Sequence, residues 1–332
     1  SHSADLQVKV RNVNLYQESL RTLKYMEDFI AKHKINIHVI AGDLFEYPTP
    51  NDDERKLIYN HLMRLLNIPT LDLLIIIDGN HDLEKENKAK VNVSGNNALS
   101  TIATVIETLD TPLKNKLKYF KFSTAFIYNN IKFLPYCLTN KENWGELKSA
   151  YDSDNNKKKF ALYHAMIAEY AQDKKLPIKI DKLDTLDIFP SNTVVLAGDI
   201  HESFIAKDEN RNVKFLYPGA PMIHTFGEGS YITVSDVLKP NLGKHKKFNI
   251  FKIDDAGQID IAEKQIPFFV QYLTIQLDSS IDYSVLKHNI QQIDWNTLCS
   301  DETCRIFVKI KSSNILIKQE REIFDMIKSA CP

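Results

Sequence analysis

Five short clusters of Asp, Asn, Gln and His carry the chemistry of this sequence. They are Asp5-Leu6-Gln7, Gly42-Asp43-Leu44-Phe45-Glu46, Gly79-Asn80-His81-Asp82, Tyr163-His164 and Gly198-Asp199-Ile200-His201. Four of them close a β-rich apolar run, and the first stands where a strand would end. Carboxylates, amide oxygens and imidazoles without thiolate suit Mn2+, Mg2+ or Fe2+ better than a structural zinc. Two such ions about 3.5–4 Å apart, bridged by one carboxylate, would ionise a shared water and favour in-line attack on phosphorus. Each cluster alone is weak, because a Gly-Asp at a strand end is usually just a turn and a lone His usually packs in the core. Asn, His and Asp in a row after the buried run 71–77 resist that explanation. The conjunction of five ordered clusters of one chemical type carries the reading.

Strands and helices must bring these clusters together. Tyr16, Leu20, Leu23, Met26 and Ile30 recur at helical spacing and predict a helix over 14–33. Residues 35–41 and 71–77 read as strands, 52–66 as a helix capped by Asn51 or Asp52, and 97–109 as a third helix. Such alternation predicts an α/β sandwich with partly parallel pairing. Loops at the carboxyl ends of parallel strands converge on one crevice, which would unite clusters spread from Asp5 to His201. Beyond residue 120 the texture is β: a hairpin around Asn129-Asn130 and strands near 160–163, 194–197, 231–237 and 248–253. After Lys264 the pattern restarts as strand 270–277, helix 283–291, strand 305–311 and helix 317–329. The expected domains are therefore 1–264 and a small α+β appendage, 265–332.

The 42 basic and 43 acidic residues give a net charge of −1, which excludes a globally basic, histone-like binder but not a local positive groove. Lysines at 157–159, 174, 175, 179, 182, 244, 246 and 247 either line such a groove or form solvated faces. Cys137, Cys299, Cys304 and Cys331 contain no C-x-x-C pair, so reduced thiols are expected. The run 71–77 is interrupted by Asp72 and too short to span a bilayer. A soluble, cytoplasmic protein without membrane contact is the expectation. The chain opens at Ser1, four residues before its first cluster, so upstream residues and a first strand are expected as well.

The order D-x-(H/Q), G-D-x-x-(E/D), G-N-H-D, a lone His and G-x-x-H resembles the motif series of the calcineurin-like metallophosphoesterases. Tyr217-Pro218-Gly219-Ala220-Pro221 followed by Phe226-Gly227-Glu228 resembles the run found in SbcD-type DNA double-strand-break nucleases. The terminal appendage resembles their DNA-capping domain, and the Lys/Asn/Ile-rich composition is similar to bacteriophage recombination endonuclease subunits. The resemblance implies an αββα sandwich with a capping domain, and manganese-dependent exonuclease and endonuclease cleavage of DNA. It implies that Asp43 bridges two divalent metals, Mn2+ or Mg2+, that Asp5 and His201 complete one site, and that Asn80 and His164 hold the other. His81 would touch the scissile phosphate, with Asp82 as its orienting partner. The implied partners are DNA, an SbcC-type ATPase and a second copy docked through helices 52–66 and 97–109.

Two residues depart from the family pattern. Gln7 stands where an imidazole is usual and offers only a neutral oxygen; Asp199 replaces a second imidazole with a carboxylate. Both keep the ligand count while making the site harder and more acidic. The competing readings are a metallophosphoesterase acting on a non-DNA ester, and a non-catalytic subunit that binds DNA or the ATPase.

Overall fold

A computed structural model describes residues 1–10, 13–83, 85–86, 90–91, 97–109, 111–154, 158–224, 228, 230–234, 238–241, 246–267, 270–277, 283–293, 305–311 and 317–330. The chain divides into two units, Ser1–Pro221 with Lys247–Ile266, and Met222–Lys246 with Pro267–Pro332.

Two six-stranded sheets build the first unit. In one, β1 (His2–Ser3), β2 (Ile37–Ala41), β3 (Leu73–Ile77) and β6 (Leu117–Phe120) run parallel. Its other edge is the antiparallel pair β15 (Lys247–Ile253) and β16 (Ile259–Gln265), with β15 against β1. A small hairpin of β4 (Lys85–Glu86) and β5 (Lys90–Val91) forms a separate sheet. In the second large sheet β8 (Ile131–Tyr136), β9 (Lys159–His164), β10 (Thr193–Gly198) and β12 (Val213–Tyr217) are parallel. Its antiparallel edges are β7 (Phe126–Tyr128) and β11 (Phe204–Asp208).

Side chains alternate across each strand, so β9 shows why the sheets are layered. Phe160 and Leu162 join Val39, Ile75, Ile77, Phe133 and Leu196 in a core made by both sheets. Ala161 and Tyr163 face the other way, onto Trp144, Leu147, Ile167 and Tyr170. Those four belong to α4 (Trp144–Asp152), α5 (Ala168–Asp173) and the residue before α5. On the first half of the chain lie α1 (Val13–Lys32), α2 (Asp52–Leu66) and α3 (Ala98–Glu107). Helix α2 begins where it does because Asn51 and Glu54 exchange side-chain bonds with each other's backbone N–H in a capping box. The expected αββα sandwich is what the chain forms. Among the described residues no helix is long and apolar enough to cross a membrane.

The second unit is a four-stranded sheet, β14 (Leu238–Asn241), β13 (Ser230–Val234), β17 (Val270–Leu277) and β18 (Arg305–Lys311), with helices α6 (Tyr283–Gln291) and α7 (Ile317–Ala330). The division read from sequence assigns 222–246 to the first domain, whereas the structure groups it with the second. The cause is β13, which pairs in parallel with β17 along its whole length, from Ser230↔Leu273 to Val234↔Leu277. Cys137 is free and buried; Cys299, Cys304, Cys331, Phe226, Gly227, Lys157 and Lys244 lie outside the described residues.

Candidate metal centre

Parallel pairing sets the site. The register partners Ala41↔Ile77 and Gly198↔His164 leave the ends of β2, β3, β9 and β10 level along one edge. The loop after β1 runs beside the loop after β2. Asp5 N–H donates to the Gly42 carbonyl (3.1 Å), Gln7 N–H to the Asp43 carbonyl (2.9 Å) and Val8 N–H to the Leu44 carbonyl (3.2 Å). Asp5, Gln7, Asp43 and Asp199 adopt φ of 54°, 38°, 55° and 91°, a region L-residues avoid, and all four lie at this edge. Such strain gathers where the surrounding structure over-determines a working geometry. The loops approach so closely that a Cβ on Gly42 would sit 2.3 Å from His164 Nδ1, and one on Gly79 would sit 2.0 Å from Asp43 Oδ1.

Within that edge, donor atoms of Asp5, Asp43 and His164 lie within 4.8 Å of one another, all buried. His164 Nδ1 is 2.6 Å from the Ala41 carbonyl oxygen. A carbonyl only accepts, so Nδ1 carries the proton and donates. Nε2 is thereby turned to Asn80 Oδ1 at 3.0 Å, Asp43 Oδ1 at 3.3 Å and Asp5 Oδ1 at 4.0 Å. An imidazole nitrogen facing three oxygens, its other nitrogen tied to a backbone carbonyl, is the arrangement of a metal-ligating histidine. The donor set fits a hard divalent cation.

Electrostatics show that the metal-free centre demands positive charge. Burial would lower the His164 pKa, but Asp43, Asp5 and Asp199 outweigh it and hold the ring well above its ordinary value. Without metal an imidazolium meets the demand of these carboxylates for positive charge, a role that a bound cation would take over as the ring loses its Nε2 proton. Burial, assisted by Asp43 and Asp199 and opposed by His164 and His201, pushes Asp5 up to about 7. Burial acts upward on Asp43 too, yet the charge and hydrogen bond of His164 and the attraction of His81 keep it below the carboxylate range. Asp199 is raised, first by burial, with His164 opposing and Asp43 adding.

The other expected ligands attach to this centre in different ways. Gln7 Nε2 donates to Asp43 Oδ2 (3.1 Å), and the His81 N–H donates to Asp43 Oδ1 (2.9 Å). The Asp199 backbone N–H donates to both Asp5 oxygens (3.0 and 3.2 Å). His201 acts on Asp5 and Asp199 through its charge, and its carbonyl accepts from Ala220 N–H (3.3 Å). Asp82 takes a place other than the one expected. Its carboxylate accepts from the N–H groups of Asp43 (2.8 Å), Gly79 (3.0 Å), Phe45 (3.2 Å) and Leu44 (3.4 Å). His81 Nδ1 instead meets the Glu46 carbonyl oxygen at 2.8 Å. Asp82 therefore ties two loops together, and a backbone carbonyl orients the histidine.

Sequence reasoning missed those backbone groups, Ala41 and Glu46, since a carbonyl leaves no trace in residue type. The glycine before Asp43, Asn80 and Asp199 was the available signal, marking where backbones crowd. Tyr217 also has a support role: its hydroxyl donates to the Ala165 carbonyl (2.6 Å) and accepts from Ile167 N–H (3.2 Å), bracing the loop after His164. Of the lysines, Lys159 is buried, with Nζ on the Tyr151 carbonyl (3.1 Å), so it belongs to the scaffold. Lys246 pairs with Glu228 (2.7 Å), Lys247 with Glu263 (2.6 Å) and Lys174 with Glu202 (3.1 Å), while Lys175, Lys179 and Lys182 are exposed.

A family model described as calcineurin-like phosphoesterase matches residues 2–203. No curated protein matches the chain. The matched stretch begins before Asp5 and ends after His201, so it holds every candidate ligand of the centre, while the supporting Tyr217 and Ala220 lie beyond it.

Proposed function

From a chain that belongs to the calcineurin-like phosphoesterases, and hence to metal-dependent hydrolases of phosphoesters, we propose a DNA nuclease that cleaves phosphodiester bonds in recombination and repair. The observation that carries the DNA reading is the Tyr217–Pro221 run. Tyr217 braces the loop after His164, and Ala220 holds the His201 carbonyl, so the segment resembling SbcD-type nucleases is built into the metal edge.

In this reading Asp43 would be the carboxylate shared by two divalent ions, Mn2+ or Mg2+. Asp5, Gln7, Asp199 and His201 would hold one, and Asn80 and His164 the other. The bound ions would polarise the phosphate and lower the pKa of water near neutral pH. The Asp43 carboxylate is kept in place by Gln7 and the His81 N–H, and His164 by the Ala41 carbonyl, so the ligands require little rearrangement. His81 meets the scissile phosphate. As the oxygen of water bonds to phosphorus and releases its proton to solvent, the bond to the leaving oxygen breaks, and His81 hands that oxygen an Nε2 proton taken up beforehand from solvent. An SbcC-type ATPase subunit and a homodimer through residues 52–66 and 97–109 complete the proposal. For the dimer, Leu57, Ile58, Leu62 and Leu65 are buried within the protomer, which leaves the exposed Val105 on α3 as an apolar contact.

The test is Mn2+-dependent cleavage of linear double- and single-stranded DNA, beside His81→Ala and bis(p-nitrophenyl) phosphate. Cleavage of DNA that the substitution abolishes is the expected result. Turnover of the small ester alone would replace the nuclease with a phosphoesterase of other substrates. Metal binding without any turnover would point to a non-catalytic or ATPase-dependent subunit.

A further inference from the structure

We propose that the Lys9–Glu46 ion pair is a positioning device for His81, holding the Glu46 backbone carbonyl against the ring. The inference rests on the catalytic role given to His81 above. The loop 43–46 is stitched to its neighbours up to Phe45: Asp43, Leu44 and Phe45 donate their N–H groups to Asp82, and Val8 bridges to Phe45. Glu46 lies one residue beyond the last of these stitches, and its carbonyl is the group on His81 Nδ1 (2.8 Å). Its side chain supplies the anchor. Glu46 Oε2 is 3.3 Å from Lys9 Nζ, with the two side chains 21% and 19% exposed. That oxygen is out of contact with solvent and has no hydrogen-bond donor among the described residues, so the lysine charge is what offsets its burial.

The consequence is chemical. A carbonyl accepts only, so Nδ1 keeps its proton, and Nε2 is the nitrogen that takes up a proton from solvent and passes it to the leaving oxygen. Without Lys9, the Glu46 carboxylate turns toward water and takes its own carbonyl with it, and the ring loses its fixed tautomer and aim. A misplacement of about 1 Å can cost as much as about 100-fold in rate. Lys9 and Glu46 are positioning residues and touch no reacting atom in this scheme.

The experiment compares Lys9→Met, Glu46→Gln and the charge-swapped pair Lys9→Glu with Glu46→Lys, in the full chain loaded with metal. Each single substitution should lower kcat on DNA by about tenfold, leaving KM within about twofold. Loss on bis(p-nitrophenyl) phosphate should be smaller, since p-nitrophenolate departs without a proton. The swapped pair should recover most of the rate. Nitrogen-15 NMR of His81 in the Mg2+-loaded protein, without substrate, should show protonated Nδ1 in the wild type and averaging between tautomers in Lys9→Met. Equal losses on both esters, a raised KM at unchanged kcat, no recovery in the swap, or an unchanged ring signal would each overturn the proposal. The NMR result stands apart from the nuclease reading, which fails if wild-type protein turns over the small ester but leaves DNA intact.

Discussion

Asp43 links three parts of the centre through its two carboxylate oxygens. One oxygen takes the His81 N–H and faces His164, and the other takes the Gln7 amide. Gly79→Ala would drive a methyl group onto that first oxygen, whose ideal separation from it is only 2.0 Å. Titration calorimetry should show Mn2+ affinity weakened by about tenfold or more, equivalent to about 1.4 kcal/mol. Unchanged affinity would mean that Asp43 is not a ligand. Asp82 makes a different prediction, because its role is in the backbone. Asp82→Ala removes the acceptor for four N–H groups and should cost at least about 3 kcal/mol, given about 1–3 kcal/mol for a buried group left unpaired. Asp82→Asn keeps one acceptor oxygen and should retain more of the stability in urea unfolding. If Asp82→Asn instead lost turnover at wild-type stability, the residue would act on His81 after all.

Between α1 and α2 a buried charge cluster links the helices that cover the first half of the chain. Glu27 accepts from His61 Nδ1 (2.6 Å) and Arg64 Nε (2.7 Å), with His61 fully buried. Burial pushes the Glu27 carboxyl upward, but those two partners hold it below its ordinary value of 4.5. A folded pKa below the unfolded one makes a contribution complete above pH 4.5 and lost as pH falls through the folded pKa. Glu27→Gln should therefore be less stable than wild type above pH 4.5, and the gap should close in acid; a gap independent of pH would count against the ion pair. This scale is also where the sequence was most legible. The helical spacing over 14–33 and 52–66 became Val13–Lys32 and Asp52–Leu66, and the turn at Asn129-Asn130 has both residues at positive φ. These features are local, fixed by period, cap and turn residues. The candidate ligands were legible as residue types at strand ends. Hidden from sequence were Glu46 and Ala41, which act through carbonyls, and the partner of β13, which lies some forty residues further along the chain and is selected by packing rather than by spacing.

At the scale of the whole molecule, the chain crosses between its two units three times, after Pro221, Lys246 and Ile266. Residues 1–266 made alone would keep both large sheets but deprive β13 of its parallel partner β17. Near-native far-UV circular dichroism, bound Mn2+ and a tendency to associate through the unpaired strand are expected, since an open strand edge recruits other chains. A 1–266 no more associated than the full chain, and otherwise unaltered, would show that segment 222–246 needs no partner.

The two-residue strand β1 has a consequence for how the protein is made. On one side it meets β2, but on the other it meets β15, through His2↔Asn249. Asp5 follows β1 by two residues, so its loop hangs from a strand whose second neighbour is the last but one strand of that sheet to leave the ribosome. Long-range pairing of this kind is slow to form. A nascent chain stalled before residue 247 would hold every side chain of the centre with β1 still an open edge. Acquisition of metal should accordingly lag far behind the synthesis of its last ligand, and its onset would report the docking of β15.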